Sequence, residues 1–260
     1  MCADASASAL PRLPSANTHD SVGTFPMTPL RATIPALLFV FVPIASFADS
    51  TGAAPTAPTS VKHVAILIDD GPIPAQLPAF LELFAREGVK VSLAHVGREV
   101  NAHPAHTRAA AEAGHEIVNH SYTHPHFTQL DDESIVREVR DTQAAVQAAI
   151  GRAPAWYWAP YGDWDDRIAA AVAKAGMKPI PVDRMHFVSS EDWNREVDAA
   201  TILRRATHDI RDGTLLLFHE WRAETLAQMP AVLAALREQG CTFVTVSELT
   251  RRVTAVPAVH

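Results

Sequence analysis

The stretch VAILIDDGP (64–72) decides the fold, because it joins an apolar strand directly to a polar turn. Its first part, VAILID (64–69), contains no polar residue before the last position, which is the pattern of a strand buried on both faces. The carboxylates Asp69 and Asp70, followed by Gly-Pro, are typical of a turn at the end of such a strand. We therefore expect residues 64–69 to form one strand of a parallel sheet.

Short β-like runs alternate with helical patterns along the rest of the chain. The predicted strands are 64–69, 89–97, 115–120, 155–158, 178–182, 214–219 and 241–246, and the predicted helices are 77–88, 107–114, 133–150, 165–176, 199–210 and 225–240. Such alternation favours a parallel sheet covered by helices. The predicted fold class is α/β: a distorted (β/α) barrel, complete or incomplete, with about seven parallel strands in a single domain over 61–255. An open doubly wound sheet is the alternative.

The residues before this domain have the composition of leader and linker segments. Residues 1–26 are rich in Ser, Ala and Pro and are interpreted as a leader extension, or as the result of a start assigned too far upstream. Residues 27–48 are predicted to be a signal peptide cleaved after Ala48, because their apolar stretch is shorter than the ~20 residues that span a bilayer. A retained anchor is the alternative. Residues 49–60 are predicted to be a Pro/Thr/Ala linker. We expect an exported protein, secreted or periplasmic, without a stable membrane span after cleavage.

Composition narrows the possible classes further. The chain has 260 residues, of which 48% are hydrophobic and 20% charged, and this balance excludes a disordered tail and a disulfide-rich miniprotein. The formal net charge of −7 argues against binding to nucleic acid, whose phosphates repel such a surface. Cys2 lies in the leader, and Cys241 is predicted to be a buried, inert thiol. The sequence gives no indication of the oligomeric state.

Polar residues collect at the carboxyl ends of three predicted strands, where the loops of a βα fold converge on one mouth. Asp69 and Asp70 follow the first of these strands, His120 and His124 follow the second, and His219 ends the third. Two imidazoles and one carboxylate, for which Asp70 is the natural choice, form a three-ligand site with an open position, as in hydrolytic zinc centres. Asp69 is then placed to accept a proton from the attacking water, and His219 to protonate the leaving group. An ordinary turn, surface histidines or a structural histidine would account for each signal taken singly.

Three segments of the chain resemble motifs of a known family. LIDDGP (67–72), GHEIVNHSYTHPHF (114–127) and TLLLFHE (214–220) resemble the first, second and last motifs of the polysaccharide deacetylase family, also called carbohydrate esterase family four. The resemblance covers about 61–250. It implies a distorted βα barrel, a divalent metal (usually zinc) on an Asp-His-His set, and hydrolysis of N-acetyl or O-acetyl groups on glycans.

The resemblance also implies individual roles. Carried over position by position, it makes Asp69 the base, Asp70, His120 and His124 the metal ligands, and His219 the acid. Tyr161 would offer its backbone N–H to the developing oxyanion, which in other hydrolases is worth on the order of 3 kcal/mol. His126, which follows His124 closely in HPHF (124–127), is a further candidate ligand that the sequence favours less. Ile68 and Glu220 replace the Phe and Asp that are usual in the family.

The third motif departs from the family pattern. R-P-P-Y-G aligns with WAPYG (158–162), so Trp158 replaces an arginine that normally pairs with the base carboxylate. Loss of that cation should raise the pKa of Asp69 and loosen its orientation. Asp183, or the pair Asp192-Trp193, is the candidate for the Asp–Trp motif whose aspartate braces the arginine. We interpret Trp158 as a residue that stacks on a sugar ring or shields the base from water. The alternative is that it only packs against its neighbours, in a protein with weakened activity. The expected substrate-binding residues are Trp158, Pro160, Trp193 and Leu217.

The leading hypothesis is an exported, metal-dependent hydrolase that removes acetyl groups from an acetylated glycan, its expected partner. One alternative is a glycan-binding protein of the same fold with lost or weakened catalysis, and another is a hydrolase of a non-sugar amide or ester. A serine hydrolase is disfavoured, because the chain contains no G-x-S-x-G elbow.

Overall fold

The structure, a computed structural model, describes residues 61–255. The predicted leader extension, signal peptide and linker (1–26, 27–48 and 49–60) lie outside the described residues. Within 61–255 the strands are β1 (Lys62–Gly71), β2 (Ser92–His95), β3 (Glu116–Asn119), β4 (His186–Ser189), β5 (Thr214–His219) and β6 (Cys241–Val244). The α-helices of the same range are α1 (Leu77–Glu87), α2 (Gly97–Ala102), α3 (Pro104–Glu112), α4 (Asp132–Ile150), α5 (Asp166–Lys174), α6 (Ala199–Thr207), α7 (Ala223–Glu238) and α8 (Val246–Ala255). A search of these described helices finds none with the length and apolar character needed to cross a membrane.

All strand pairs are parallel, and the sheet has the order β3-β2-β1-β5-β4. The ten-residue strand β1 also pairs with β6 through residues 62–65, while its later residues pair with β2. Beyond β3, isolated bridges from Asn119 to Tyr157 and from Tyr157 to Pro179 extend the curved sheet. No strand pairing within the described residues joins Pro179 to β4. The parallel α/β fold is thus the predicted one, in the form of a ring that pairing does not close.

Side-chain alternation in β1 explains how the ring carries polar groups at one end. Ile66 and Ile68 belong to the core between the sheet and its covering helices. Ala65 and Leu67 belong to a second core cluster, formed by the opposite face of the sheet. Because successive side chains of a strand point to opposite faces, Asp69 shares the face of Ala65 and Leu67. Asp69, two residues before the end of β1, therefore carries a carboxylate to the end of this second cluster.

Helix ends follow the local signals of the sequence. Asp131 caps α4, and its carboxylate accepts a hydrogen bond from Ser134 N at 2.7 Å, as the sequence predicts. Gly88 ends α1 in the left-handed conformation that glycine adopts without steric cost. An aspartate cap of this kind contributes about 1 kcal/mol to helix stability.

Several predicted boundaries are wrong. The predicted strand 178–182 supplies only the Pro179 bridge, and 155–158 supplies only Tyr157. The prolines at 179 and 181 lack the N–H that a strand ladder needs, which explains the first error. The predicted strand 89–97 ends at His95, and helix α2 begins at Gly97. Strand β4 was not predicted, because it has no clear apolar period. Helix α8 was also not predicted, although Val246, Leu249 and Val253 recur at helical spacing.

Candidate active site

Three predicted ligands meet at the carboxyl end of β1. Asp70 Oδ1 lies 3.4 Å from His120 Nε2 and 3.0 Å from His124 Nε2. One ligand atom from each residue lies within 4.8 Å of the other two. Bond lengths of about 2.0–2.2 Å in a tetrahedral zinc site separate ligand atoms by roughly 3.3 Å. The chemistry and spacing of this Asp-His-His cluster therefore fit one divalent cation, and the structure brings together the three residues expected to bind it.

The ligand loop adopts an unusual backbone. Asp70, Ser121 and His124 have φ angles of 70°, 62° and 60°, in the left-handed region that residues other than glycine seldom occupy. Such conformations cost on the order of 1–3 kcal/mol each and persist only where surrounding contacts impose them. They turn the chain sharply after β1 and β3, and this turn lets residues from two strand ends face one point.

Helix α4 supplies the contacts that hold the histidine loop. Glu138 Oε2 accepts hydrogen bonds from Tyr122 N at 2.8 Å and Thr123 N at 2.7 Å, and Glu138 Oε1 accepts one from Thr123 Oγ1 at 2.7 Å. Ser121 Oγ accepts a further bond from His124 N at 3.0 Å. Glu138 was missed by the sequence reasoning, and no local signal distinguishes it from other charged residues of this helix.

The remaining atoms of the cluster are also oriented by partners. The Nδ1 of His120 lies 2.9 Å from the backbone oxygen of Trp158 and donates to it, which leaves Nε2 as the electron-pair donor. Trp221 Nε1 donates to Asp70 Oδ2 at 2.9 Å, leaving Oδ1 toward the two histidines. Burial alone would raise the pKa of Asp70, but the hydrogen bonds and charge of His120 and His124 outweigh it and hold that pKa well below its usual range. Trp221 was missed by the sequence reasoning, although it directly follows the third strand-end motif.

Asp69 is buried beside this cluster and has an asymmetric environment. Its side chain is 3% exposed, and Oδ2 accepts a hydrogen bond from Trp158 Nε1 at 2.6 Å. Oδ1 has no hydrogen-bond partner among the described residues. Burial raises the pKa of Asp69 to about 6, although the charges of His120 and His219 oppose the increase. A carboxylate with a pKa near neutrality beside a metal-binding cluster has the properties of a general base.

His219 lies beside Asp69 because the two residues are partners in the pairing of β1 with β5. Its Nδ1 lies 2.7 Å from Asp192 Oδ1, while Asp192 Oδ2 accepts bonds from His219 N at 2.8 Å and Thr225 Oγ1 at 2.5 Å. Burial lowers the pKa of His219, but the hydrogen bond to Asp192 and the charge of Asp69 outweigh it and raise the pKa to about 9. The imidazole is thus held in its acid form, and its Nε2 makes no hydrogen bond to the residues that the structure describes.

Asp183 and Asp192 both stay candidates for the aspartate of the Asp–Trp motif. In the family pattern that aspartate braces an arginine, whereas residue 158 of this chain is a tryptophan and Asp192 contacts His219. The physical reason is that an indole has no positive charge for a second carboxylate to balance, whereas the imidazolium of His219 has one. The other candidate, Asp183, lies in a short turn that lines the cavity.

Glu220, the residue after His219, points into the protein. It is fully buried, and its Oε1 accepts a bond from Ile73 N at 2.5 Å. Burial raises the pKa of Glu220 to about 8. Glu220 therefore supports the turn after β1, and it does not belong to the metal-binding cluster.

A cavity of about 1,390 Å³ opens above the cluster. Three of the four expected substrate-binding residues line it: Trp158, Trp193 and Leu217. The fourth, Pro160, is a correction, because it is buried and does not line the cavity. The positive φ of the next residue, Tyr161, turns that side chain outward and leaves the proline ring packed inside. Exposed aromatic rings, namely Tyr161, Trp164, Phe187 and Trp193, give the cavity an apolar rim.

Tyr161 stands at the edge of the metal-binding cluster. Its ring stacks on His126 with centroids 3.8 Å apart and packs edge-on against His124 at 4.7 Å. The Nδ1 of His126 lies 3.2 Å from Asp163 Oδ2, so that side chain supports Tyr161 and does not join the ligand set. The role of the Tyr161 amide as an oxyanion donor stays a prediction.

The structure is thus a parallel α/β protein with an Asp-His-His cluster that fits a divalent cation, and with Asp69 and His219 beside that cluster. A family model described as polysaccharide deacetylase matches residues 56–180. A solved family 4 carbohydrate esterase from Streptomyces lividans, in complex with acetate, is 30% identical with a TM-score of 0.64, over 70% of this chain and 91% of the other. The chain belongs to the polysaccharide deacetylase family, carbohydrate esterase family four.

Two further relatives show the range of the family. The peptidoglycan-N-acetylglucosamine deacetylase of Listeria monocytogenes is 29% identical over 195 residues, which are 75% of this chain and 40% of the relative. The chain thus spans less than half the length of that relative. A solved structure from Bacillus anthracis, described as a carbohydrate esterase family 4 pseudoenzyme, is 26% identical with a TM-score of 0.66, over 74% of this chain and 66% of the other.

Proposed function

We propose that the protein is a metal-dependent hydrolase that removes acetyl groups from an N-acetylated or O-acetylated polysaccharide or oligosaccharide, with action on non-peptide carbon–nitrogen bonds as its main activity. The observation that carries the proposal is the position of Asp69, a buried carboxylate whose Oδ2 lies 3.7 Å from His120 Nε2 of the metal-binding cluster and whose partner in the strand pairing is His219. The relatives described above support the substrate class.

Asp70, His120 and His124 would hold the cation, and their two nitrogens and one oxygen suit zinc. When bound, a divalent cation supplies Lewis acidity at the scissile carbonyl. Asp69 is proposed to accept the proton of the attacking water. His219 delivers a proton from Nε2 to the departing amine, since Nδ1 is held by Asp192. The Tyr161 amide is proposed to donate to the oxyanion.

The rim of the cavity suits a carbohydrate. Exposed aromatic rings can stack on the apolar faces of sugar rings, and Trp158, Trp193 and Leu217 are proposed to contact the substrate. The protein is further proposed to be exported, secreted or periplasmic, on the pattern of residues 27–48. The substrate of the Listeria relative, peptidoglycan, agrees with a site of action outside the cytoplasm.

The test is acetate release by zinc-loaded protein from a panel of acetylated chito-oligosaccharides, peptidoglycan and acetylated xylan. Asp69→Asn should abolish turnover and leave zinc bound, because the base is lost while all three ligands remain. Asp141→Asn, which changes an exposed carboxylate on α4, serves as the matched control and should behave as the original protein. A fully active Asp69→Asn protein would overturn the mechanism.

A second candidate function is glycan binding without efficient catalysis. Two observations favour it: the similarity to a pseudoenzyme of the same family, and the tryptophan at position 158. Binding of chito-oligosaccharide by the zinc-loaded protein without acetate release would support this function. Acetate release from a small aryl acetate but from no sugar would instead indicate a hydrolase of non-sugar esters or amides.

A further inference from the structure

The residue that replaces the family arginine makes a specific contact with Asp69. The indole Nε1 of Trp158 donates to Asp69 Oδ2 at 2.6 Å, inside a site where that carboxylate is 3% exposed. We propose that Trp158 is a positioning residue that holds Asp69 through a single neutral donor at Oδ2, the carboxylate oxygen that lies 3.7 Å from His120 Nε2. The catalytic consequence rests on the function proposed above, whereas the contact itself does not.

The number of donors on each side chain explains the selection of one oxygen. A guanidinium carries five N–H groups in a fixed fork and commonly engages both oxygens of a carboxylate. An indole carries one N–H and no charge, so it can occupy only one oxygen. In this chain the occupied oxygen is Oδ2, which also lies 3.7 Å from His120 Nε2. Oδ1 has no hydrogen-bond partner among the described residues and is buried, with almost no surface accessible to water.

The indole is held in place from three directions. Trp158 N donates to the backbone oxygen of Asn119 at 2.9 Å, which fixes the segment against the end of β3. The backbone oxygen of Trp158 accepts a bond from His120 Nδ1 at 2.9 Å. The ring packs against Phe187, with centroids 6.0 Å apart. Trp158 therefore contacts Asp69 through its side chain and His120 through its backbone, and these contacts fix its position.

The chain supplies a matched control on the same segment. Trp156 also donates an indole hydrogen bond, from Nε1 to Ser247 Oγ at 2.8 Å, and it does not line the cavity. The variants Trp158→Phe and Trp156→Phe each remove one indole N–H and keep an aromatic ring. A role in general packing predicts similar effects for the two, whereas a role in positioning Asp69 predicts different ones.

The kinetic experiment measures kcat, KM and zinc content for the original protein and these variants. Trp158→Phe should lower kcat by roughly 10- to 100-fold, the effect expected when a charged group loses one hydrogen bond. Zinc content should stay unchanged, and KM should change much less than kcat, because the variant keeps an aromatic ring in the cavity. Trp158→Arg should recover part of the lost kcat, because it restores an N–H donor. Trp156→Phe should keep the original kcat. A Trp158→Phe protein with the original kcat would overturn the proposal, as would equal losses in both Phe variants.

A second measurement does not depend on turnover. In zinc-loaded protein labelled with ¹⁵N-tryptophan, the indole N–H resonance of Trp158, assigned by its absence from Trp158→Phe, should lie downfield and exchange slowly. Asp69→Ala should shift it upfield, while Asp69→Asn, the variant that keeps the shape of the site, should produce a smaller shift. A resonance unchanged in both variants would overturn the proposal. A shift in protein that deacetylates no glycan would support the contact and refute the proposed function separately.

Discussion

The two ends of the parallel ring are built differently. At the carboxyl ends of the strands, Asp70, Ser121 and His124 occupy left-handed backbone conformations, and Asp69 Oδ1 lacks a hydrogen-bond partner among the described residues. Both features cost free energy, and neither contributes to the packing of the core. They persist because β1, β3 and α4 hold the chain on either side.

At the amino ends of β2 and β3, four residues form what we term the floor cluster: Ser92, Glu116, Trp156 and Ser247. Glu116 Oε2 accepts from Ser92 Oγ at 2.7 Å and from Ser247 N at 3.0 Å, and Oε1 accepts from the Ser247 hydroxyl. Trp156 Nε1 donates to the same hydroxyl. Polar groups at this end are satisfied, whereas those at the mouth are partly free, so we assign stability to the floor and chemistry to the mouth.

Removal of a ligand should produce the largest difference between the two ends. Asp70→Ala deletes the one carboxylate that faces both histidines, and zinc affinity should fall by more than about 100-fold, the upper range for loss of a supporting partner. Acetate release should become undetectable. Metal analysis after dialysis and a turnover assay measure the two effects. Asp141→Ala is the exposed control, and an Asp70→Ala protein that retains one zinc per chain would refute the ligand assignment.

The acid at the mouth should respond to pH through Asp192. His219 must be protonated to donate, so activity is lost as pH rises through its pKa of about 9. Asp192→Asn removes a charge that raises this pKa, and the alkaline limb of kcat should therefore move to lower pH. A decrease of one pKa unit lowers kcat about tenfold on that limb.

The pH profile contains its own control. Below the lowered pKa, His219 is protonated in both proteins, so the two kcat values should approach each other at pH 6. The free energy of unfolding should also fall as pH rises, as kcat does. A histidine whose folded pKa is raised stabilises the fold below pH 6.5, and this contribution is lost as pH rises toward 9. An alkaline limb unchanged by Asp192→Asn would show that His219 is not the acid.

A smaller effect is expected from the support beneath the ligand loop. Glu138→Gln replaces one accepting oxygen by a donor that faces either two backbone N–H groups or the Thr123 hydroxyl. The loop should loosen, and zinc affinity should fall by about tenfold. Glu133→Gln, an exposed change on the same helix, is the control for titration with a chelator. Equal affinities in the two variants would assign Glu138 to stability alone.

The sequence predicted the mouth more completely than it predicted the supports of the mouth. Asp69, Asp70 and His219 could be found because period-two alternation and strand ends are local properties. Glu138 and Trp221 could not be found in this way. Glu138 contacts a loop 15–16 residues away, and the Trp221 contact with Asp70 spans 151 residues. Only the fold brings such partners together.

The fold class could be predicted because the apolar runs of the central strands are also local properties. The strands at the edge of the sheet could not be predicted in this way. Buried strands such as β1 and β5 have long apolar runs, whereas β4 is a short, half-exposed run that resembles a loop. The strand at 178–182 was wrongly predicted from its apolar residues alone. Its prolines have no backbone N–H, and a strand needs that group for its ladder of hydrogen bonds. Each of these errors lies where the ring is left unpaired, between Pro179 and β4.

A substitution in the floor cluster should change stability without changing catalysis or metal binding. Glu116→Gln replaces one carboxylate oxygen by an NH₂ group, which must then face the Ser247 hydroxyl or the Ser92 hydroxyl and Ser247 N–H. We expect the free energy of unfolding to fall by about 1–3 kcal/mol, the cost of a buried polar group left without a matching partner, while kcat and zinc affinity stay unchanged. Urea unfolding beside the exposed control Glu112→Gln measures the first, and the turnover assay measures the second. If Glu116→Gln lowered kcat without lowering stability, the floor would be coupled to the mouth, and the division of the ring into a stabilising end and a reactive end would fail.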